Sequence, residues 1–346
     1  MIEVGLIGFG LAGRAFHAPV IRAVPGLHLA AIVQRSGNEA AEKYPDVRII
    51  RTLDDLLAMK EVQLIVIATP NDTHYPLARQ CLAADRDVVI DKPFATTLAE
   101  ARSLVDLAKS AGRLLTVYQN RRFDGDFQAL RQLVAAGTLG RIVRFETNYD
   151  RYRPQLKPDA WRESQRPGSG ILFDIAPHLI DHALVLFGLP ESVTADVRIE
   201  RENAIADDAF DITLHYPNSL RAVLRSSILA AATRPRFVVL GTQGSFVKQS
   251  FDPQEMNLRR GNIPVDTAWG AEPDENWGVL TISAKDGFEH RRIPSASCDY
   301  RDYYANVRDA IFGRAKLAVT PEWSLDVMRL LELARASSHE RRTIPF

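Results

Sequence analysis

Three ionisable side chains in this sequence have the types and spacing that acid–base catalysis requires. Asp174 and His178 are four residues apart in a strongly apolar stretch, so a helix there would place both on one face. Lys92 follows, after Asp91, an apolar run that predicts a buried strand. An imidazole can exchange a hydroxyl proton near neutral pH, and an ammonium group can polarise the oxygen. We therefore predict that Lys92, Asp174 and His178 are catalytic.

Each of these residues also has a simpler interpretation. A lysine at a strand end commonly forms a salt bridge, and an aspartate at a helix start commonly caps the helix. A histidine on an apolar helix is commonly a packed core residue. The three together favour catalysis, because oxidising an alcohol needs a base for the hydroxyl proton, a group that polarises the oxygen, and an acceptor for the hydride.

A glycine-rich loop near the N-terminus predicts what accepts the hydride. It follows the first predicted strand, opens a helix and consists of Gly8, Phe9, Gly10, Leu11, Ala12 and Gly13. In a dinucleotide-binding G-x-G-x-x-G loop, the first glycine permits the turn, the second lets the backbone approach the pyrophosphate, and the third lets the helix pack on the strand. We predict that these six residues bind a nicotinamide dinucleotide. A glycine-rich turn without a ligand is the simpler alternative.

The end of the second predicted strand indicates which dinucleotide is bound. NAD sites usually have an acidic residue there that binds the ribose 2′-hydroxyl. Here the strand end reads Val33-Gln34-Arg35-Ser36 and holds no acid. The guanidinium of Arg35 and the hydroxyl of Ser36 suit a 2′-phosphate instead. We therefore predict NADP, with a solvated Arg35 as the alternative.

The elements that position these residues fall into two patterns. The first third of the chain alternates amphipathic helices with short apolar strands, at Val4–Ile7, Leu29–Val33, Leu64–Ala68, Val88–Ile90 and Leu114–Val117. This alternation is typical of a doubly wound parallel sheet, the Rossmann fold. Beyond residue 122 come a long strand, an apolar helix near residues 171–187 and successive strands with tight turns, which predict a mostly antiparallel sheet. The fold class is therefore α/β, with predicted domains at residues 1–122 and 123–346.

The motifs resemble those of the Gfo/Idh/MocA oxidoreductases over nearly the whole chain. Besides the glycine loop, they are Thr69-Pro-Asn-Asp-Thr-His74, Asp91-Lys-Pro93, Gln119-Asn-Arg-Arg122, Trp161-Arg162 and Gly170-x3-Asp174-x3-His178-x2-Asp181. The usual tripeptide of the family is Glu-Lys-Pro, so Asp91 is a departure. The branch that the sequence resembles most includes NADP-dependent scyllo-inositol dehydrogenases.

The resemblance implies a role for most of these residues. His178 would be the general acid/base, assisted by a substrate-binding Asp174, and Lys92 would lie beside the nicotinamide and the substrate hydroxyl. The implied cofactor contacts outside the glycine loop are Thr69, Pro70, Asn71, His74, Asp91, Lys92, Pro93, Gln119, Trp161 and Arg162. For His74 and Gln119, local hydrogen bonds that shape the loop are an alternative. The resemblance also implies self-association through the open face of the second sheet, as a homodimer or a dimer of dimers.

Composition restricts the other possible functions. Lys+Arg and Asp+Glu both number 43, and this zero net charge makes nucleic acid an unlikely partner. No stretch reaches the roughly 18 consecutive apolar residues of a membrane helix. The two cysteines, Cys81 and Cys298, have no Cys or His neighbour at metal-ligand spacing. The expectation is a cytoplasmic protein with no bound metal, no nucleic-acid partner and no membrane partner.

The substrate and the alternatives to a dehydrogenase stay open at this point. The segment Asp150–Arg153 either binds hydroxyl groups or is a solvated loop, and Arg121, Arg122 and Arg153 leave an anionic substrate open. A cyclic polyol or sugar is the predicted substrate class. The competing function is a non-catalytic NADP-binding sensor of the same fold. A third interpretation is an enzyme that uses nicotinamide transiently to cleave glycosides or eliminate substituents.

Overall fold

The computed structural model describes residues 1–157, 160–266 and 269–346. The chain forms two compact units. The first consists of Met1–Asn120, Gln254–Trp269 and Asp299–Leu325, and the second of Arg121–Pro253, Gly270–Cys298 and Asp326–Phe346. The first change of unit lies close to the predicted boundary. The remainder of the chain, predicted as one continuous domain, instead returns two segments to the first unit.

The strands form two sheets. In chain order they are β1 Ile2–Ile7, β2 Leu27–Val33, β3 Arg48–Ile50, β4 Val62–Ile67, β5 Asp87–Asp91, β6 Leu115–Tyr118, β7 Ile142–Asn148, β8 Ser192–Arg198, β9 Ala209–His215, β10 Arg221–Ser227, β11 Phe237–Gly241, β12 Gly244–Lys248, β13 Gly278–Ala284, β14 Gly287–Ile293 and β15 Ile344–Pro345. The first sheet has the order β3-β2-β1-β4-β5-β6, and the second has the order β14-β13-β12-β11-β7-β10-β9-β8-β15.

The α-helices are α1 Ala18–Arg22, α2 Glu39–Lys43, α3 Leu53–Ala58, α4 His74–Ala83, α5 Leu98–Ala111, α6 Gly125–Ala135, α7 Gly170–Phe187, α8 Gln254–Arg259, α9 Tyr300–Ile311 and α10 Pro321–Glu340. A π-helical segment, Ala12–His17, precedes α1. Helix α5 has clear signals at both ends. Its start is fixed by a capping box between Thr97 and Glu100, and its end by Gly112 in the left-handed conformation.

The first unit is the predicted Rossmann fold. Its six strands are all parallel, and residues of the central strands are almost completely buried. Strand β3 was not predicted, because it is three residues long and begins with an exposed arginine. The segment that carries α9 returns to this unit because Tyr303 and Tyr304 pack their rings against Tyr118, at centroid distances of 4.8 and 5.5 Å. The apolar periodicity of the sequence does not predict that this segment packs on the first unit.

The second unit is built on the predicted, mostly antiparallel sheet. Only the pairing of β7 with β10 is parallel among its described strands. Helix α7 packs against β7, β9 and β10. The ring of Phe145 on β7 lies 5.5 Å from that of Phe187, at the end of the helix. These contacts fix the helix that carries Asp174 and His178.

Helix α7 is the described helix that bears on the expectation that no segment crosses a membrane. It is 18 residues long with a mean hydropathy of 1.5, which is sufficient in length and composition to cross a membrane. In the structure, however, 78% of that stretch is buried inside the protein. The polar residues Asp174, His178 and Asp181 interrupt the apolar run. For this reason the stretch does not meet the criterion of about 18 consecutive apolar residues for a membrane helix. Helix α7 is the core helix of the second unit.

Candidate functional site

The glycine loop follows β1 directly, and its three glycines are constrained in different ways. Gly8 has φ +97°, and a Cβ there would lie 2.5 Å from the carbonyl oxygen of Ala68. A Cβ on Gly13 would overlap the carbonyl oxygen of Gly8. A Cβ on Gly10 would have no described atom within 4 Å. The chain's own packing therefore requires glycine at positions 8 and 13, whereas Gly10 presents bare backbone to open space, as a pyrophosphate site requires.

The end of β2 is held in place by hydrogen bonds. The guanidinium of Arg51 donates to the carbonyl oxygens of Gln34 and Gly37, both at 2.8 Å. Gln34 donates to the carboxylate of Glu39 and accepts from the N–H of Ala40 at 3.0 Å. Glu39 was not predicted from the sequence to lie at this site. Arg35, by contrast, is exposed and forms no ion pair with the described residues. Its guanidinium is therefore accessible to a ligand.

Two further cations lie beside this strand end. The Lys43 amine lies 3.5 Å from the carbonyl oxygen of Arg14, the residue directly after the glycine loop. Burial lowers the pKa of Lys43, and the like charge of Arg14 lowers it further. The edge of the Tyr44 ring meets the ring of Phe9, with centroids 6.0 Å apart, so α2 packs against the glycine loop. Arg14 and Lys43 give this region positive charge that the sequence motif did not reveal.

The loops after β4 and β5 are joined by one histidine. The Nδ1 of His74 lies 2.8 Å from the carbonyl oxygen of Pro93, and its Nε2 lies 3.0 Å from that of Thr69. The ring is completely buried, and burial lowers its pKa. Both ring nitrogens thus face backbone carbonyls. This geometry supports the alternative in which His74 shapes the loop, while direct contact of His74 with the cofactor stays a prediction.

Asp91 holds the backbone of Lys92. Its Oδ1 accepts a hydrogen bond from the Lys92 N–H at 2.9 Å, and the same oxygen lies 3.8 Å from Nε2 of His17. Burial raises the pKa of Asp91, but the nearby His17 imidazole and the charge of Lys92 bring it below its usual value. The shorter aspartate in place of the family's glutamate folds back on its neighbour. Asp91 therefore fixes the position at which Lys92 leaves the sheet.

Gln119 lies at the carboxyl end of β6 and is 2% exposed. Its Oε1 is buried and accepts no hydrogen bond from any residue that the structure describes. A buried amide oxygen without a donor costs free energy, so such an atom points to a ligand that supplies the N–H. The nicotinamide carboxamide has this donor. Gly10 and Gln119 are therefore two independent features that fit a nicotinamide dinucleotide.

In the second unit, Asp174 lies between two guanidinium groups. Its Oδ2 lies 3.3 Å from Nη1 of Arg151, and its Oδ1 lies 3.2 Å from Nε of Arg162. The guanidinium of Arg162 also stacks on the ring of Trp161 at 4.5 Å. These two contacts fix the orientation of the Asp174 carboxyl group. The expected contacts of Trp161 and Arg162 with the cofactor stay predictions.

His178 is 4% exposed and lies one turn beyond Asp174, as the spacing predicted. Three residues later, Asp181 forms a buried, two-pronged pair with Arg122, in which Nε donates to Oδ2 at 3.0 Å and Nη2 donates to Oδ1. His182 is buried and stacks on Phe127, with centroids 4.1 Å apart. On the same helix, Asp181 and His182 therefore contact the buried residues Arg122 and Phe127. Asp174 instead contacts Arg151 and Arg162.

Most of the side chains considered for contacts with substrate hydroxyls or with an anionic substrate have protein partners. Arg122 is bound to Asp181, and Nη2 of Arg121 donates to the hydroxyl of Tyr149 at 2.9 Å. Asp150 is buried and accepts from Arg234 Nη2 at 2.6 Å. These contacts identify the three side chains as structural. Two of the three arginines considered for an anionic substrate, Arg121 and Arg122, therefore already have protein partners.

The structure adds functional candidates that the sequence did not single out. They are His17, which lies close to Asp91, and Asp207, which contacts the start of α7. Arg151, which the sequence offered only as part of the segment Asp150–Arg153, lies close to Asp174. Each is distant in sequence from the residue that it contacts, so no spacing rule could have found it. Among the described residues, no group of three or more His, Cys, Asp or Glu is placed to hold a metal ion.

Comparisons with known proteins agree with this geometry. Residues 2–119 match the oxidoreductase family with the NAD-binding Rossmann fold, and residues 127–247 match the GFO/IDH/MocA C-terminal domain. The chain is 43% identical to the oxidoreductase YdgJ of Escherichia coli over 99% of this chain and 98% of that protein. It is 36% identical to scyllo-inositol 2-dehydrogenase (NADP(+)) IolW of Bacillus subtilis over 99% of this chain and 95% of that protein.

Solved structures show the same fold. An oxidoreductase from Bacillus subtilis has a TM-score of 0.96 at 36% identity, covering 100% of this chain and 98% of the other. An oxidoreductase from Yersinia pestis has a TM-score of 0.94 at 41% identity, covering 100% and 97%. The fold, the glycine loop and these similarities lead to one conclusion: the chain belongs to the Gfo/Idh/MocA family of oxidoreductases and binds a nicotinamide cofactor.

Proposed function

We propose that the protein is an NADP(H)-dependent dehydrogenase or reductase that acts on a hydroxyl or ketone of a cyclic polyol or sugar, of the scyllo-inositol kind. The observation that carries this proposal is the presence of Asp174 and His178 one turn apart on α7, in a chain that also has a dinucleotide loop. The similarity to a scyllo-inositol 2-dehydrogenase supports the substrate class.

The cofactor would be held by residues of the first unit. Gly10 leaves space for the pyrophosphate, Gln119 offers a buried acceptor for the carboxamide, and the loop after β4 adds Thr69 and Asn71. When bound, NADP supplies the acceptor for the hydride, and NADPH supplies the donor. Positioning, proton transfer and charge stabilisation come from the chain.

The protein's own groups would carry out the proton chemistry. During oxidation, Nε2 of His178 takes the substrate hydroxyl proton, and in the reverse direction it returns the proton to the developing alkoxide. In the first unit, the Lys92 ammonium would supply a hydrogen-bond donor that favours the anionic form of a substrate oxygen. Asp174, oriented by Arg151 and Arg162, accepts a hydrogen bond from a second substrate hydroxyl. A polyol supplies that hydroxyl.

The preference for NADP rests on charge at the end of β2. Arg35 is exposed and Ser36 adds a hydroxyl, whereas Glu39 is bound to Gln34. Arg14 and Lys43 lie close by and form no ion pair with a carboxylate in the described part of the chain. A 2′-phosphate would neutralise this excess of positive charge, because each guanidinium or ammonium group can donate charge-assisted hydrogen bonds to it.

We also propose that the protein self-associates as a homodimer or dimer of dimers and is located in the cytoplasm. Strand β14 ends one side of the second sheet, and six of its seven residues are exposed. The exposed side chain of Phe288 lies on this strand. Light scattering of the purified protein would measure the oligomeric state, and cell fractionation would test the location.

The experiment that tests the proposed function is a panel of inositols, aldoses and their oxidised forms, assayed with NADP(H) and NAD(H) in parallel. Turnover of a polyol with net formation of NADPH supports the proposed function. Turnover without net change of the cofactor would instead indicate transient oxidation in a cleavage or elimination reaction. Tight NADP binding with no turnover on any substrate would favour the sensor, and binding of neither dinucleotide would contradict the cofactor assignment.

A further inference from the structure

Two neighbouring aspartates, Asp207 and Asp208, precede β9 and contact separate parts of the second unit. Asp207 contacts the start of α7, the helix that carries Asp174 and His178. Asp208 binds Arg201, whose guanidinium reaches the segment after β7. Both aspartates lie outside the motifs that identify the family.

Asp207 binds the first turn of α7 at two points. Its carbonyl oxygen accepts from the Ile171 N–H at 2.8 Å, and its Oδ1 accepts from the Leu172 N–H at 2.7 Å. These N–H groups have no acceptor within the helix. Gly170 has φ +88°, and a Cβ there would overlap the Asp207 carboxylate. Glycine at position 170 is thus what allows the carboxylate to approach the helix so closely.

Asp208 holds the other side through a buried arginine. Its Oδ2 accepts from Nε of Arg201 at 3.0 Å, and the side chains of Arg201 and Asp208 are 4% and 1% exposed. Nη1 of Arg201 donates to the carbonyl oxygen of Gln155 at 3.2 Å and lies 3.3 Å from the carboxylate of Glu163. Arg201 therefore fastens the segment that carries Arg151 and Arg162.

The two sides meet at Asp174. The helix bound by Asp207 supplies this carboxylate, and the segment bound through Asp208 supplies the two guanidiniums that orient it. We propose that Asp207 and Asp208 act as a clamp that keeps Asp174 and His178 aligned with Arg151 and Arg162. Both are positioning residues, and their effect on turnover rests on the proposed function.

The environment of Asp207 moves its pKa into a range that a pH profile of activity can reach. Burial raises its pKa to about 6, against the opposing effect of the Leu172 N–H. The charged groups that face it are Arg335 of α10, which favours the carboxylate, and Asp208, which disfavours it. The clamp therefore changes its charge within the pH range of an ordinary activity profile.

The test compares Asp207→Ala, Asp207→Asn and Asp208→Asn with the wild type. Asp196→Ala, an exposed aspartate of β8 in the same unit, is the matched control. Hydrogen exchange is measured on peptides covering residues 151–157 and 170–178, together with kcat, KM and the Kd of NADP. Loss of a hydrogen bond to a charged acceptor predicts about a tenfold effect.

We expect exchange at Leu172, whose N–H loses its carboxylate acceptor, to rise about tenfold in Asp207→Ala, and kcat to fall by a similar factor, whereas the Ile171 N–H keeps the backbone carbonyl of residue 207. The Kd of NADP should change less than kcat, because most of the predicted cofactor contacts lie in the first unit and only Trp161 and Arg162 are predicted from the second. Asp207→Asn retains an acceptor oxygen, so its kcat at high pH should match that of the wild type. Because an amide does not titrate, the dependence of kcat on pH near pH 6 should differ from that of the wild type. A purely structural role would lower the amount of folded enzyme and leave the kcat of the folded fraction unchanged. For Asp208→Asn, the increase in exchange should appear at residues 151–157.

Unchanged exchange in Asp207→Ala would overturn the clamp. Increased exchange with unchanged kcat would overturn the positioning role while leaving the proposed function intact, provided that His178→Ala is inactive. If the wild-type enzyme turns over no substrate, the proposed function fails separately, and the exchange data alone decide the clamp. If Asp207→Ala does not fold, Asp207→Ser supplies the same comparison.

Discussion

Replacing Gly10 by alanine should separate cofactor binding from folding. The backbone of Gly10 does not have a positive φ, and a Cβ there would meet no described atom within 4 Å. The free chain therefore accommodates alanine without strain. Because Gly→Ala at a compatible site reduces the entropy of the unfolded chain, we expect stability to be unchanged or raised by about 0.4–1 kcal/mol.

The same methyl group would occupy the space that the pyrophosphate requires. Displacing the ligand weakens its hydrogen bonds with the backbone N–H groups of the loop, and hydrogen bonds to charged groups contribute about 1.5–3 kcal/mol each. Loss of one such bond corresponds to a rise in Kd of roughly 10- to 150-fold. NADP and NAD should weaken by the same factor, since they share the pyrophosphate.

The assay combines calorimetric measurement of Kd for both dinucleotides with thermal unfolding of the ligand-free protein. Gly13→Ala is the matched control, because a Cβ there would overlap the Gly8 carbonyl oxygen and so must disturb the loop itself. We expect Gly13→Ala to lower both stability and affinity, whereas Gly10→Ala lowers affinity alone. Unchanged Kd values in Gly10→Ala would refute the assignment of the pyrophosphate to this loop, and a large loss of stability would refute the geometry.

Five other substitutions test separate parts of the interpretation. Lys92→Ala and His178→Ala should each lower kcat by about 10²–10⁴-fold with the Kd of NADP largely retained, and near-normal turnover in steady-state assays would remove the residue from the mechanism. Arg35→Asp should shift the ratio of NADP to NAD affinity towards NAD, with the exposed Lys60→Asp as control, and an unchanged ratio would refute the 2′-phosphate contact. Arg122→Ala should lower the free energy of unfolding by about 3–5 kcal/mol, because it removes the two-pronged pair with the buried Asp181 carboxylate, and a denaturant titration that shows less than 1 kcal/mol would contradict this. For Asp207, burial raises the pKa from 3.8 to about 6, so the native state binds more protons than the unfolded state between these values, and this residue's contribution to stability should fall by about 3 kcal/mol as pH rises through that window; Asp207→Asn should abolish that decline in pH-dependent unfolding.

The sequence determined the first unit nearly completely. Apolar runs of strand length alternate with amphipathic helices, and this local pattern dictates parallel strands with helical crossovers. The glycine spacing, the absence of an acid at residues 33–36 and the four-residue interval between Asp174 and His178 are likewise local. Each depends on backbone geometry within one turn or one strand end, which is why it can be read directly along the chain.

Only the tertiary structure decided which of these groups have partners. Asp174 and Asp181 stand seven residues apart on one helix, yet the first lies between Arg151 and Arg162 whereas the second is paired with Arg122. The return of α9 to the first unit and the contact of Asp207 with α7 are equally invisible along the sequence. Long-range contacts depend on how the elements pack, and packing is set by the whole chain, so a short motif cannot contain them.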